Sequence, residues 1–211
     1  MLVPYWWHYP KDWERNWVLD NGAYSAFAQG VEFDGALFLK TLDKIPTDRP
    51  PLWIVCPDKV GQGADSLSFS LAWIDALQQT HPQYKYLLAV QEGMRYEDVA
   101  AALRTKKFVG VFVGGASKEW KLRTLHAWRH LSTKHGLLCH VGRISNFKEL
   151  SLCRKLEVDS VDSSTPAQRE GGWEKSKTLY DMIIDVLRGK SYMDNLETWG
   201  NPELVDEAIN G

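Results

Sequence analysis

Polar side chains and glycines follow several short apolar runs of this sequence, each at the point where a run ends. In chain order these points are Asp20-Asn21-Gly22, Pro57-Asp58, Gln91-Glu92-Gly93, Gly114-Gly115, Gly142-Arg143 and Asp162-Ser163-Ser164. Carboxylates can act as nucleophiles or as acid–base groups, and amides and open backbone can hold a hydrogen-bonding ligand. A single carboxylate after a strand is more often a helix cap, so Asp58 or Asp162 alone would carry little weight. The recurrence of such points indicates a shared site.

The apolar runs before these points predict the strands that position them. The runs cover residues 2–7, 17–20, 52–56, 86–90, 109–113, 137–141 and 158–161. Near-continuous apolar runs are typical of strands buried on both faces, as in parallel sheets. The stretches between them predict amphipathic helices over residues 64–79, 96–105, 118–134 and 146–156.

This alternation predicts an α/β fold: a compact, TIM-like (β/α)8 barrel, or a trimmed form of one. An open doubly wound sheet is the alternative. Barrel enzymes keep their active sites at the carboxyl ends of the strands, so the polar points would converge on one face. Three carboxylates, a primary amide and a glycine pair suit a planar, hydrogen-bonding heterocycle such as guanine. Tyr24, four residues after Asp20, could stack on such a ring.

The order of five motifs resembles that of the tRNA-guanine transglycosylases. The motifs are DNGAYS, VQEG, VGG, VGRISNFKEL and VDSVDSSTP, spread from position 18 to position 166. In the family, a DSGG-[FY]-Q segment, a VQGG segment, a Gly-Gly strand end, a G-x-G-[TS]-P-E-D-L-like segment and an FDCV-x-P segment follow one another. Each motif is short and degenerate, and the resemblance rests on their order and spacing together.

The resemblance implies a role for each matched residue. Asp162 matches the aspartate that attacks the sugar, and Asp20 matches the acid–base aspartate that also recognises the base. Tyr24 matches the aromatic residue that stacks on the base. With the strand-end position of Gly142 added, the predicted substrate-binding residues are Tyr24, Asp58, Gln91, Gly114, Gly115 and Gly142.

The sequence departs from the tRNA enzymes in two respects. It lacks their CxCxxC…H zinc site, and it is much shorter at 211 residues. A chain without a zinc subdomain is more similar to the branch, found in phages and bacteria, that places 7-deazaguanine derivatives into DNA. The expected function is therefore replacement of guanine in DNA by a 7-deazaguanine such as 7-cyano-7-deazaguanine, without metal or organic cofactor. The alternatives are base exchange on tRNA, a glycosidase acting on free nucleosides, and a nucleic-acid-binding barrel without activity.

The charges are distributed unevenly along the chain. Residues 106–155 hold eleven Lys or Arg and only two acids, so this window has a net charge of +9 and the remainder −11. A basic face can contact the phosphates of a polynucleotide, and the predicted contacts are Lys118, Lys121, Arg123 and Arg143. The equally weighted alternative is a solvated pair of barrel helices.

Length and composition predict one transglycosylase-like domain over residues 1–211, with residues 189–211 as a peripheral acidic tail. The sequence contains neither a membrane-length apolar run nor a secretory signal pattern, so we expect a cytoplasmic protein, in the host cytoplasm if phage-encoded. The three cysteines, Cys56, Cys139 and Cys153, form no zinc framework and are expected to be free, buried thiols. A homodimer is compatible with the sequence.

Overall fold

The computed structural model describes residues 2–4, 17–105, 107–115, 117–144 and 147–162. Contacts within the chain group it into two compact units, Met1–His140 and Val141–Gly211, and each is described by itself. The predicted tail over residues 189–211 lies outside the described residues, and the single domain stays a prediction.

The first unit is built on a curled parallel sheet of six strands that follow one another in chain order. These strands are β1 (Leu2–Pro4), β2 (Val18–Asp20), β3 (Ile54–Val55), β4 (Tyr86–Val90), β5 (Gly110–Val113) and β6 (Leu138–Val141). The pairs from β1 to β5 are parallel, and the Leu138 N–H donates to the Val109 carbonyl over 3.0 Å where β6 begins. The parallel arrangement matches the prediction from the apolar runs.

Five helices of the first unit connect these strands. They are α1 (Ala23–Gln29), α2 (Gly35–Leu42), α3 (Gly63–Thr80), α4 (Tyr96–Arg104) and α5 (Lys118–His135). The last three confirm the predicted helices to within one residue at each end. The two short helices α1 and α2 were not predicted, because seven or eight residues are too few for a clear helical period.

The second unit contains α6 (Phe147–Lys155) and the short strand β7 (Ser160–Val161) among its described residues. The Asp162 N–H donates to the Val141 carbonyl over 3.2 Å, and the Asp162 carbonyl accepts from the Ile144 N–H over 2.9 Å. These backbone bonds fix the position of Asp162 directly after β7.

From β2 to β5, both faces of the sheet are largely buried. One face carries an apolar cluster of Val18, Trp53, Val55, Leu87 and Ala89. The other carries side chains such as Leu19, Ile54, Leu88 and Val111, each without solvent exposure. Because strand side chains alternate between faces, Asp20 and Gln91 continue the rows of Val18 and Ala89. The strands thus direct these two polar residues to the carboxyl edge of the apolar cluster.

The first unit's sheet closes less far than that of a complete (β/α)8 barrel, the fuller of the two predicted forms. The described residues hold seven strands and six helices, and the first unit's sheet is a half barrel. This arrangement is compatible with a TIM-like fold, but it is not a full (β/α)8 barrel. In the described part of the chain, no helix combines the length and the apolar character needed to cross a membrane.

Candidate functional site

The centre of the candidate site is the buried carboxylate of Asp58, which follows β3. Asn21 Nδ2 donates to Asp58 Oδ1 over 2.6 Å, and Gln91 Nε2 donates to Asp58 Oδ2. The three residues are 4%, 2% and 3% exposed for Asp58, Asn21 and Gln91. Each carboxylate oxygen therefore accepts a hydrogen bond from a different primary amide, and three separate strand ends meet at one acid.

Hydrogen bonds to both the amide nitrogen and the amide oxygen of Asn21 fix the orientation of its side chain. Its Nδ2 also donates to the Cys56 carbonyl over 2.8 Å, and its Oδ1 accepts from the Ala23 N–H over 2.9 Å. The Ala23 bond helps to begin α1 directly after Gly22, whose φ of 74° favours glycine. Sequence reasoning gave Asn21 no role. The available signal was a primary amide next to Asp20 at a strand end.

Gln91 is positioned by the glycines around it. A Cβ on Gly114 would lie 3.5 Å from Gln91 Nε2, so the backbone after β5 passes close to this amide. On the other side, Gly93 approaches Gly63 so closely that a Cβ on Gly63 would lie 3.1 Å from the Gly93 carbonyl carbon. These contacts bring the turns after β4 and β5 up to Asp58.

Burial raises the pKa of Asp58 from 3.8 to about 6, although the hydrogen bonds from Asn21 and Gln91 act in the opposite direction. Burial, with a smaller contribution from Asp58, also raises the pKa of the Cys56 thiol well above its usual value. At neutral pH Asp58 is therefore mostly ionised and accepts hydrogen bonds, while Cys56 stays a neutral thiol.

Asp20 and Tyr24 flank Asn21 in sequence. Asp20 ends β2 and is half-buried, and Tyr24 is 40% exposed in the first turn of α1. The Tyr24 ring lies 6.3 Å from the Phe27 ring, centroid to centroid, so α1 presents two exposed aromatic rings. An exposed ring on a helix next to a strand end can stack on a base.

Gly115 was predicted to bind substrate, and the structure shows that it also packs against Trp120. Its φ is 41°, and a Cβ there would lie 2.3 Å from the Trp120 ring. Trp120 belongs to the first turn of α5, where its N–H donates to the capping Ser117 Oγ over 3.1 Å. Glycine is therefore required where the chain leaves β5.

The second unit places Asp162, Gly142 and Arg143 together. The Arg143 N–H donates to Asp162 Oδ2 over 3.1 Å, and Arg143 adopts a φ of 58°, which is unusual for a residue with a Cβ. Gly142 is buried, Asp162 is half-buried and Arg143 is exposed. The Asp162 carboxylate is thus held by a backbone donor from a strained position.

The predicted nucleic-acid contacts on α5 differ in exposure. Lys118 and Arg123 are exposed. Lys121 is only 3% exposed, because it lies on the same helix face as the buried Leu125 and Trp128. Almost none of its surface is open to solvent, so we withdraw Lys121 from the predicted contacts.

A cavity of about 420 Å³ opens in the first unit beside Asp58. It is lined by Ala23, Ala26, Phe27, Val31, Glu32, Phe33, Asp58, Lys59, Val60, Gln62 and Phe69. Among the predicted substrate-binding residues that the structure describes, Asp58 lines this cavity and the others do not. A group of three side chains able to hold a metal ion is not found in the described part of the chain.

No protein-family model matches the chain, and no curated protein matches its sequence. Functional inference therefore rests on the geometry of the two units and on the motif order.

Proposed function

We propose that this protein is a base-exchanging glycosyltransferase that replaces guanine in DNA with a 7-deazaguanine derivative. The observation that carries the proposal is the buried Asp58 carboxylate held by the amides of Asn21 and Gln91. An ionised carboxylate has about four acceptor positions, of which the two amides use two. One of the remaining positions suits an N–H donor on the edge of guanine. The motif order supplies the rest of the proposal.

In the first chemical step, a carboxylate oxygen of Asp162 attacks C1′ of the deoxyribose. The bond between C1′ and N9 of guanine breaks, and its electron pair passes to the departing base. Asp20 donates a proton to that base, which leaves neutral, and Asp162 becomes a glycosyl ester. The backbone N–H of Arg143 holds the attacking carboxylate in place through Asp162 Oδ2.

In the second step, the 7-deazaguanine enters the vacated position. The ionised Asp20 removes the proton from its N9, which attacks C1′ and displaces the Asp162 carboxylate. Two displacements at C1′ retain its configuration, as in retaining glycosidases. A base inside a duplex is out of reach of such a site, so the substrate must be single-stranded or flipped out.

The first experiment measures incorporation of labelled guanine into DNA, tRNA and free nucleosides in parallel. We expect exchange on DNA and loss of exchange in Asp162→Asn, because an amide does not form the glycosyl ester. Asp159→Asn is the matched control, since Asp159 is an exposed acid three residues earlier, and it should retain exchange. Exchange that survives in Asp162→Asn would exclude Asp162 as the nucleophile.

Intact mass spectrometry tests the covalent step itself. After incubation with guanine-containing DNA, the wild-type protein should gain the mass of the DNA strand without one guanine. In the exchange assay, Asp20→Asn should slow turnover severely. Exchange on tRNA alone would identify tRNA as the substrate of the same chemistry. Turnover of free nucleosides alone would identify nucleosides as the substrate. If none of the three substrates gives exchange or a covalent adduct, the proposed enzymatic activity is refuted.

A further inference from the structure

The cavity beside Asp58 is lined by three aromatic rings together with aliphatic and polar side chains. Phe27 of α1, Phe33 before α2 and Phe69 of α3 line it, together with aliphatic side chains. We name this cavity the ring pocket. All of its described lining residues belong to the first unit. The exposed Tyr24 ring, on which the exchanged base is proposed to stack, does not line the ring pocket but lies beside Phe27, which does.

The walls of the ring pocket are held by further aromatic contacts. Phe33 meets Phe69 edge to face at 6.4 Å and meets Trp73 edge to face at 5.8 Å between ring centroids. Phe69 also contacts Trp73 at 6.1 Å. Gly35 permits this packing, because a Cβ there would lie 2.7 Å from the Trp73 ring. Phe33 and Phe69 are therefore pre-positioned, which lowers the entropy cost of binding a flat ligand.

The polar groups of the ring pocket are few and differ in burial. Asp58 contributes a buried carboxylate, whereas Glu32, Lys59 and Gln62 are exposed around the opening. Lys59 Nζ lies 5.0 Å from the centre of the Phe69 ring. The ring pocket is therefore of mixed polarity, and its volume of about 420 Å³ falls within the usual range of small-molecule sites.

The segment that carries Asp58 and Lys59 is fixed to α3. The Lys59 N–H donates to Ser66 Oγ over 3.0 Å, and Ser70 Oγ donates to the Pro57 carbonyl over 2.8 Å. The buried carboxylate and the exposed ammonium are therefore presented by a defined backbone. The first can accept from an amino group, and the second can pair with a phosphate.

We propose that the ring pocket binds a second, amino-bearing nucleotide, with its base against the phenylalanine rings, its amino group toward Asp58 and its phosphate toward Lys59. The proposal rests on the proposed function, because that function brings nucleotides to Asp58. Cytosine, adenine and guanine carry the required amino group, whereas thymine and uracil do not. The nucleotide is either a neighbour of the exchanged guanine in the same strand or a free nucleotide.

Direct binding measurements test the ring pocket without any exchange reaction. The full-length protein is titrated in a calorimeter with deoxycytidine 5′-monophosphate, thymidine 5′-monophosphate and deoxycytidine. The second probe lacks the amino group, and the third lacks the phosphate. We expect the first probe to bind about tenfold more tightly than either of the others, a difference typical of one lost polar contact. Equal binding of all three probes, or no binding, would overturn the proposal.

A pair of substitutions on α1 locates the binding site. Ala26→Phe fills the ring pocket, whereas Ala28→Phe adds the same ring at an exposed position of the same helix that does not line it. Ala26→Phe should weaken binding of deoxycytidine 5′-monophosphate by about tenfold or more, and Ala28→Phe should leave it unchanged. Circular dichroism checks that both variants fold. Lys59→Gln, at an exposed position, gives a second test, because it should abolish the preference for deoxycytidine 5′-monophosphate over deoxycytidine. Unchanged binding in Ala26→Phe and Lys59→Gln would overturn the proposal.

Exchange assays then distinguish the two sources of the nucleotide. If a neighbouring nucleotide occupies the ring pocket, wild type should prefer oligonucleotides with cytosine beside the target guanine over those with thymine, and Ala26→Phe should lose that preference. If a free nucleotide occupies it, added deoxycytidine 5′-monophosphate should change the exchange rate of wild type but not of Ala26→Phe. Nucleotide binding that Ala26→Phe abolishes, in a protein without exchange activity, would refute the proposed function and leave the ring pocket established.

Discussion

Asp58 is a costly residue for the folded protein, since it is a carboxylate almost completely removed from water. Its pKa of about 6 lies above the value of 3.8 expected in the unfolded chain. The protonated form is therefore favoured by folding, and the free energy of unfolding must fall as pH rises from about 4 to about 6. Full ionisation costs about 3 kcal/mol on the scale of 1.36 kcal/mol per pKa unit.

Asp58→Asn should remove this pH-dependent loss of stability. Urea unfolding of wild type and variant between pH 4 and pH 7.5 provides the measurement, and the difference between the two curves should change by about 2.4 kcal/mol across that range. Asp65→Asn, at an exposed position near the start of α3, should leave the wild-type profile unchanged. Parallel curves for wild type and Asp58→Asn would show that the pKa of Asp58 is not raised.

Tyr24 tests the stacking part of the proposed site. Tyr24→Ala should raise the KM for the nucleic acid or the entering base, because stacking on an aromatic ring is worth about 1–3 kcal/mol per base. Tyr24→Phe keeps the ring and removes only the hydroxyl, so it should retain a near wild-type KM. Measurement of kcat and KM for both variants tests the stacking role of the Tyr24 ring. Equal constants for Tyr24→Ala and wild type would exclude stacking on this residue.

At the level of single residues, the sequence predicted some site members better than others. Asp58 and Gln91 were selected from their positions after strands, and the structure brings them into contact. Asn21 was missed because its value comes from contacts with partners 35 and 37 residues away, at Cys56 and Asp58. Lys121 was misplaced on the surface because its burial depends on which helix face packs inward, and charge alone does not show this.

Among the connecting elements, the turns after β3 and β4 are joined through Gly63 and Gly93. Gly63→Ala would place a Cβ 3.1 Å from the backbone of Gly93 at a φ of 48°. We expect lower stability and slower exchange, because the Gly93 turn must move and Gln91 lies two residues before Gly93. Thermal unfolding and exchange rates measure the two effects.

Gly61→Ala is the matched control for this prediction. Gly61 also has a positive φ, 71°, but a Cβ there would meet nothing within 4 Å. It should carry only the cost of a left-handed conformation, about 1–2 kcal/mol. Equal destabilisation in Gly61→Ala and Gly63→Ala would mean that the contact with Gly93 is unimportant.

The elements were predicted best where strands are long and buried. The run over residues 86–90 coincides with β4, whereas the run over residues 52–56 is assigned as strand only at Ile54–Val55. Hydrogen bonds nonetheless cover the whole run, since the Leu52 N–H donates to the Trp17 carbonyl and the Cys56 N–H donates to the Leu87 carbonyl, both over 2.9 Å. The short helix α2 escaped prediction because the aromatic packing beneath it, centred on Phe38, involves distant Trp73.

For the whole molecule, apolar runs predicted a parallel α/β architecture but not how far the sheet closes. Strand alternation determines which residues are buried, whereas closure depends on strand tilt and on the stagger between neighbouring strands. Neither quantity is visible in a list of apolar runs. The observed half barrel is therefore consistent with the same sequence pattern that suggested eight strands.

The uneven charge of the chain leads to a prediction about salt. The net charge is −2, yet residues 106–155 carry +9, and Lys118 and Arg123 of α5 are exposed within that window. Binding of a single strand by phosphate contacts releases counterions, so affinity should fall linearly with salt on a double-logarithmic plot, with a slope of about −0.7 per contact. Replacing both residues by alanine should make the slope less steep by about 1.4 if each contacts one phosphate.

Fluorescence anisotropy with a labelled single-stranded oligonucleotide, measured from 50 to 300 mM salt, gives the slopes. Lys85→Ala removes one positive charge, half of that lost in the double variant, from an exposed position outside the basic window. It controls for net charge alone and should leave the slope unchanged. Loss of slope in the double variant but not in Lys85→Ala would place the phosphate contacts on α5. If both variants change the slope alike, the attraction is a property of net charge, and α5 makes no specific contact with the strand.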